Sequence, residues 1–359
     1  MIKVGSDFSG VGAFNQALKR LGVEYKEVFA CDMDKHARQT FIHNYGEPDY
    51  YPENVYNREI PTDPLDIYMT SPPCQAFSLA GKRKGKEDLR GILFFNSLEF
   101  IAKNKPRFFI FENVKGLLSD DGGKTFSEWV NMLGGKSVNG LPVLFPYEDS
   151  VPYHLYWQVL NAKKHGVPQN RERVFLVGIR DDKDNTFQFP NEETLAKRLK
   201  DVLEENVDDK YFLSEKMIDH LQKHERSKEF INLNTLHINC LTSNYSKQSS
   251  DLQYLELQIN NKKEIMIGAV RGRYCTDKKT EQKLEINKCG TSNTITCVQK
   301  DNVVVKNKKI RRLTPRECFR LMDFPDSFTW PVSDSQAYKQ AGNSIVVNVL
   351  YKILKNLPL

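Results

Sequence analysis

The first 32 residues alternate an apolar strand, a glycine turn, an amphipathic helix and a second strand that stops at an acid. That order restricts the chain to an α/β fold built on a βαβ unit. Residues 1–4 read as a short strand, followed by Ser6-Asp7-Phe8-Ser9-Gly10-Val11-Gly12. Phe14, Ala17, Leu18 and Leu21 then recur at helical spacing, and Gly22 marks the helix end. Residues 25–30 read as a second strand, closed by Cys31-Asp32. Glycines at such a turn let a ligand approach the backbone at the helix N-terminus. The Asp32 carboxylate, 20 residues beyond Gly12, can accept hydrogen bonds from ribose hydroxyls. Asn15 stands where a dinucleotide fingerprint has its third glycine, which argues against NAD and leaves nucleoside-containing cofactors in general. A purely structural glycine turn would give the same pattern.

Further strands are expected at residues 65–70, 108–111 and 174–179. The first runs into Ser71-Pro72-Pro73-Cys74-Gln75-Ala76-Phe77-Ser78. Two prolines fix φ and donate no backbone hydrogen bond, so the strand ends there and Cys74 sits on a stiff loop. Ligands of open α/β sheets bind beyond the carboxyl ends of the strands, where a positioned thiol can act as a nucleophile. A buried cysteine acting as a small hydrophobe fits the same residues. The buried-strand run at 107–111 ends in Glu112-Asn113-Val114. A carboxylate there is costly unless paired or used, and burial would raise its pKa toward neutrality; an N-cap or surface acid is the alternative. Gln169-Asn170-Arg171-Glu172-Arg173 leads into residues 174–179. Arginines at i and i+2 on an entering strand face one side and could clamp a carboxylate or phosphate, or simply be surface charges.

After Arg180 the βαβ rhythm stops. Residues 181–310 are polar and rich in Lys and Asn, with β-like pieces at 264–270 and 302–305 and helix expected near 192–203 and 214–224. Regular structure returns at Thr314-Pro315-Arg316-Glu317, where Pro315 suits the first helical turn and Thr314 with Glu317 forms a capping box. Gln340-Ala341-Gly342-Asn343-Ser344 precedes a C-terminal helix at 345–354. Residues 262–312 hold fourteen Lys and Arg against five Asp and Glu, and Lys82-Arg83-Lys84-Gly85-Lys86 adds a second basic cluster; together they favour a polyanionic partner over a merely solvated surface. The 7 cysteines form no CxxC pair, so neither a disulfide framework nor a metal site is expected. No 18-residue apolar run or signal peptide is read, and a cytoplasmic protein without membrane contact is expected.

Taken in order, these segments resemble the DNA (cytosine-5)-methyltransferases, of prokaryotic or phage type, along nearly the whole chain. Residues 7–12 look like the first family motif and Cys31-Asp32-Met33-Asp34 like the second. Ser71-Pro72-Pro73-Cys74-Gln75 resembles the nucleophile motif, Glu112-Asn113-Val114 the glutamate motif and Gln169-Asn170-Arg171-Glu172-Arg173 the paired-arginine motif. Arg312-Leu313-Thr314-Pro315-Arg316-Glu317-Cys318 is similar to the ninth motif and Gly342-Asn343-Ser344 to the tenth. The family usually has leucine where Asp7 stands, Asp-Ile where Asn54-Val55 stand and Gly-Phe where Ser71-Pro72 stand.

The resemblance implies a Rossmann-like, S-adenosylmethionine-dependent methyltransferase domain at 1–180 and 335–359, with a smaller, mixed or mainly β target-recognition domain and hinge at 181–334. It implies a Cys74 thiolate adding to carbon 6 of a flipped-out cytosine, assisted by Glu112, Arg171 and Arg173. S-adenosylmethionine would be bound by Phe8, Gly10, Gly12, Asp32, Met33, Asn54, Val55, Leu93, Asn343 and Ser344. Duplex DNA would meet Gln75, Ser78, Lys82, Arg83, Arg271, Arg273 and Thr294, with the 80–90 segment as a closing loop and the protein acting as a monomer without metal. An RNA methyltransferase of the same fold and a non-enzymatic DNA-binding protein are the competing functions. Methyl transfer to duplex DNA against transfer RNA separates the first. Loss of the cysteine or glutamate would mark the second, and both are present.

Overall fold

The computed structural model describes residues 1–72, 92–212, 214, 266–274, 280–287, 291–292, 303–306 and 309–359. The chain opens β1 Ile2–Asp7, α1 Ala13–Leu21, β2 Tyr25–Cys31, α2 Lys35–Tyr45 and β3 Ile67–Thr70. It continues α3 Ile92–Asn104, β4 Phe108–Val114, α4 Lys124–Leu133, β5 Ser137–Val138, β6 Leu141–Pro142, β7 His154–Asn161 and β8 Glu172–Ile179. These strands form one 8-stranded sheet in the order β2-β1-β3-β4-β8-β7-β5-β6. β1 pairs in parallel with β2 and β3, and β3 with β4. β8 runs antiparallel to β4.

Residues 108–111 of β4 are Phe-Phe-Ile-Phe, all four fully buried. Such a run needs cover on both faces of the sheet, at roughly 1.5–3 kcal/mol per buried side chain. One face carries Phe108 and Ile110 and packs against α1 and the C-terminal helices α5 Pro315–Leu321, α6 Asp334–Asn343 and α7 Val347–Lys355. The other carries Phe109, Phe111 and Tyr68 and packs against α3 and α4 through Phe94, Phe100 and Trp129. The α/β architecture expected from the sequence, a sheet covered by helices on both faces, is thus present.

A second, antiparallel sheet lies within 266–312: β9 Met266–Tyr274, β10 Thr280–Asn287, β11 Val303–Lys306 and β12 Lys309–Arg312, in the order β10-β9-β11-β12. At its junction with α5, Arg311 donates from Nη1 and Nη2 to the two Glu317 oxygens, each at 2.8 Å, with side chains 8% and 0% exposed. Glu317 also accepts from Thr314 N, and Thr314 Oγ1 accepts from Glu317 N, so the expected capping box is formed.

Two sequence expectations shift. No α-helix forms at 192–203; the segment is extended with one 3-10 turn, Leu199–Asp201. Glu192 and Glu193 are drawn to Lys164 and Lys352, while Leu199 and Val202 are buried, so tertiary contacts override local helix propensity. The strand expected at 108–111 continues through Val114, which places Glu112 inside β4. The helix expected at 214–224 lies outside the described residues, Ser214 apart.

Asn15 donates from Nδ2 to Glu27 Oε2 at 2.7 Å. Burial pushes the Glu27 carboxyl up to about 7, against the lowering effect of that hydrogen bond. The folded state therefore binds a proton that the unfolded chain releases near pH 4.3, and the stability this provides is lost as pH rises through about 7. Glu27→Gln removes this dependence. In urea unfolding, the stability of the variant relative to wild type should improve by roughly 3 kcal/mol between pH 4 and pH 8.

Candidate active site and cofactor crevice

Two loops lie at the carboxyl ends of the parallel strands β1 and β2, where open α/β sheets have their binding crevice. β1 ends at Asp7, and the chain turns through Phe8 (φ 57°), Gly10 (φ 56°) and Gly12 (φ 83°) into α1. Gly12 is required twice over. Its φ is left-handed, and a Cβ there would lie 2.3 Å from the Tyr45 ring. At Gly10 a Cβ would meet nothing within 4 Å, so that side of the loop is open. The loop is pinned by Gly10 N donating to Asp32 Oδ2 at 2.7 Å and Ser9 N to Cys31 O at 3.0 Å. Asp32 Oδ1 accepts from Asp34 N at 2.8 Å, so both carboxylate oxygens already hold backbone, each with a further lone pair to offer. Burial raises the Asp32 pKa against these two hydrogen bonds. The α1 N-terminus has no side-chain cap and no acid in its first turn, leaving its N–H groups and dipole for an anion.

The remaining expected cofactor residues lie around the same crevice or at a second corner. Met33 follows Asp32 and is 85% exposed. Asn54 is exposed, its Oδ1 accepting from Tyr56 N at 3.0 Å, while Val55 is buried beneath it. Phe8 and Leu93 pack partly buried on the same apolar cluster as Val55. Asn343 and Ser344 end α6, which is docked on α2 by Thr40 Oγ1 donating to Gln340 Oε1 at 3.0 Å and Gln340 Nε2 to His36 O at 2.8 Å.

The second centre lies at the ends of β4 and β8. Their antiparallel register pairs Glu112 with Phe175 and Val114 with Arg173, so Arg173 is the diagonal neighbour of Glu112 on one face. Arg173 Nε lies 3.2 Å from Glu112 Oε1, with side chains 17% and 10% exposed. Burial pushes the Glu112 carboxyl up; Arg173, and after it Arg171, pulls it down. Arg171, two residues before Arg173, also acts on the Glu112 charge. It precedes β8, is buried, and its Nη2 donates to Gly342 O at 3.0 Å and Ser344 O at 2.8 Å. Burial, reinforced by the charge of Arg173, lowers its pKa to about 9, so it stays charged at neutral pH. Asn113 Nδ2 donates to Pro72 O at 3.1 Å, tying β4 to the chain two residues before Cys74.

Sequence reasoning did not single out Asn113, nor Gln169 or Asn170, although all three stand inside quoted motifs. Gln169 is fully buried and donates from Nε2 to Leu321 O at 2.6 Å. Asn170 N donates to Ser292 O at 3.1 Å and Ser292 N to Pro168 O at 2.8 Å, a short parallel bridge toward the residues of the second sheet. Arg58, buried beside Asp7, carried no sequence signal at all. Cys74, Gln75, Ser78, Lys82, Arg83 and Thr294 lie outside the described residues. Arg271 and Arg273 lie on β9, in register with Lys283 and Glu281 of β10. Among the described residues no group of three or more His, Cys, Asp or Glu could hold a metal ion, and no helix is long and apolar enough to cross a membrane.

The family model for C-5 cytosine-specific DNA methylases matches residues 2–358. The type II methyltransferase M.HpaII of Haemophilus parainfluenzae is 34% identical over 98% of this chain and 88% of its own. The orphan methyltransferase M.SPRI of Bacillus phage SPR is 32% identical, covering 99% and 97%. M.HhaI of Haemophilus parahaemolyticus is 32% identical, covering 98% and 92%. Among solved structures, Dnmt2 methyltransferase of S. pombe superposes with a TM-score of 0.62 at 17% identity, covering 99% and 97%, which supports the fold. The chain therefore belongs to the C-5 cytosine-specific DNA methylase family and is a DNA methyltransferase.

Proposed function

We propose that the protein transfers a methyl group from S-adenosylmethionine to carbon 5 of a cytosine flipped out of duplex DNA, through a covalent adduct with Cys74. The observation that carries this reading is the Glu112–Arg173 pair at the end of β4, tied by Asn113 to Pro72. The cofactor residues fit the donor. The open side of Gly10 leaves room for an approaching ligand, Asp32 has lone pairs for ribose hydroxyls, and Asn54 is exposed for an adenine edge. The uncapped N-terminus of α1 suits a carboxylate group. When bound, S-adenosylmethionine supplies an electrophilic methyl group.

Carbon 5 of cytosine is too weak a nucleophile to take that methyl group unaided. The Cys74 thiolate adds to carbon 6 and makes carbon 5 enamine-like. Glu112, its pKa raised by burial, shares a proton with ring nitrogen 3 as charge develops there. Arg173 holds the Glu112 carboxyl in place, while Arg171 fixes the corner at 342–344 against the same strand end. Loss of the carbon-5 proton then expels Cys74. Flipping removes the base from the stack at a cost of a few kcal/mol. Cys74 should titrate the reaction directly. Cys74→Ser should abolish turnover while cofactor and DNA binding persist, because only addition needs a thiolate. Duplex DNA with 5-fluorocytosine at the target should trap the wild type covalently. Mass spectrometry placing the adduct on another cysteine would refute the assignment, and an adduct on transfer RNA but not on DNA would redirect the substrate.

Glu112→Gln keeps the shape of the side chain but changes its proton and charge. The single-turnover methyl-transfer rate should fall by at least about 100-fold, the scale of general acid–base assistance. The affinity for S-adenosylmethionine should change only a few-fold. A variant with a normal single-turnover rate would remove Glu112 from the mechanism.

The region 181–334 is assigned to target recognition and the hinge, because the residues named for catalysis lie elsewhere and the densest basic stretch, 262–312, lies within it. Arg271→Ala and Arg273→Ala should each relax the target profile at one position by roughly 1–3 kcal/mol if they read bases. If they contact phosphates, they should instead flatten the salt dependence of DNA binding, by about one unit of slope each. Bisulfite sequencing of treated DNA and salt titrations would score both; no change in either would exclude this strand from the DNA interface.

A further inference from the structure

Beneath the crevice lies a charge cluster that the reaction does not use. The Asp7 carboxylate is 0% exposed and the Arg58 side chain 2%, with Arg58 Nε 2.8 Å from Asp7 Oδ1. Tyr68 on β3 donates from its hydroxyl to Asp7 Oδ2 at 2.5 Å. The guanidinium lies over the Phe100 ring, 4.5 Å from its centroid, and near Phe29 at 5.6 Å; Tyr68 stacks on Phe100 at 4.2 Å. The surroundings are thus aromatic. Apolar side chains of similar volume in such a place are commonly as stabilising as an ion pair or more so, because two charges must be stripped of water. Stability alone is a weak reason for Asp7 and Arg58. A leucine at position 7 would complete the apolar cluster.

What an ion pair adds is a fixed partner. Asp7 is the last residue of β1, directly before the turn that carries Phe8, Gly10 and Gly12. Arg58 closes the opposite loop, in which Asn57 N donates to Asn54 O at 3.2 Å and Tyr56 N to Asn54 Oδ1 at 3.0 Å. That turn transmits the position of Arg58 to Asn54. The other end of the loop is held by Pro52 O, which accepts from Asp32 N at 3.3 Å and Arg38 Nη1 at 3.1 Å. We propose that the Asp7–Arg58 pair is a positioning device that ties the two lips of the cofactor crevice together from below and sets the distance between the glycine loop and Asn54. This rests on the reading of the crevice as the S-adenosylmethionine site. Arg58 is a positioning residue, with no contact to the donor assigned to it.

The test replaces both charges together, so that neither is left buried alone: Asp7→Leu with Arg58→Leu. Melting temperature, calorimetric Kd for S-adenosylmethionine, and KM and kcat on duplex DNA are measured on the full chain. The expected result is a melting temperature within a few degrees of wild type, Kd and KM for S-adenosylmethionine raised about tenfold, and kcat at saturating donor lowered less than twofold. A folded double variant with wild-type Kd would overturn the proposal. Should the double variant not fold, Arg58→Lys decides. It keeps the charge and loses the planar stack on Phe100, and a several-fold weaker Kd at unchanged melting temperature supports the proposal, whereas a wild-type Kd overturns it. A wild type that bound no S-adenosylmethionine would overturn the functional reading itself, a result distinct from equal binding by wild type and variant.

Discussion

A carboxylate at the end of a fully buried strand survives only where a cation and a proton equilibrium share its charge, and the geometry around Glu112 follows from that constraint. The cation must come from a strand that ends beside β4. Antiparallel pairing of β8 supplies it, since the register that sets Glu112 opposite Phe175 brings Arg173 onto the diagonal. A parallel β8 would have carried its start, and Arg173 with it, to the other end of the sheet. The approach to β8 is then fixed by what precedes it. Gln169 binds Leu321, Asn170 binds Ser292 and Arg171 binds Gly342 and Ser344, so three distant parts of the chain meet one six-residue stretch, 168–173.

The crevice proposed for the cofactor is built differently. Its lips are backbone, shaped by left-handed turns at Phe8, Gly10 and Gly12 and held by Asp32, which spends both oxygens on main-chain N–H groups. A rigid lip is useful because groups already in place need not be ordered when a ligand arrives. The buried Asp7–Arg58 pair extends the same logic below the crevice, where it joins elements that are far apart in sequence.

Between the two sheets the decisive contact is Arg311 with Glu317. The carboxylate accepts from both guanidinium nitrogens and from the N–H groups of Thr314 and Glu204, so its lone pairs are satisfied in a buried place. Removing one partner of such a pair costs about 3–5 kcal/mol, because the other charge is stranded. The same Glu317 caps α5. One side chain thus starts a helix packed on the first sheet and anchors the last strand of the second.

Local patterns made much of this legible. The period-3.6 apolar residues of α1, the Gly22 stop, the Pro315 start and the Thr314–Glu317 capping box depend on neighbours within one or two turns, and each stands as its residues indicate. The motif order carried the family, because short stretches such as Glu112-Asn113-Val114 keep their chemistry wherever the sheet places them. What sequence could not supply are contacts between residues far apart in the chain. The stretch at 192–203 looked helical until Lys164 and Lys352 claimed its acids. The spacing of Arg171 and Arg173 does not show that Arg171, just before the strand, also holds the 342–344 corner. Arg58 gave no sequence signal because its partner stands 51 residues away and its burial arises only when β1, β3 and α3 close around it. Propensity and spacing propose the elements; the assembled low-dielectric interior decides which charges must meet and can override a local preference, as at 192–203.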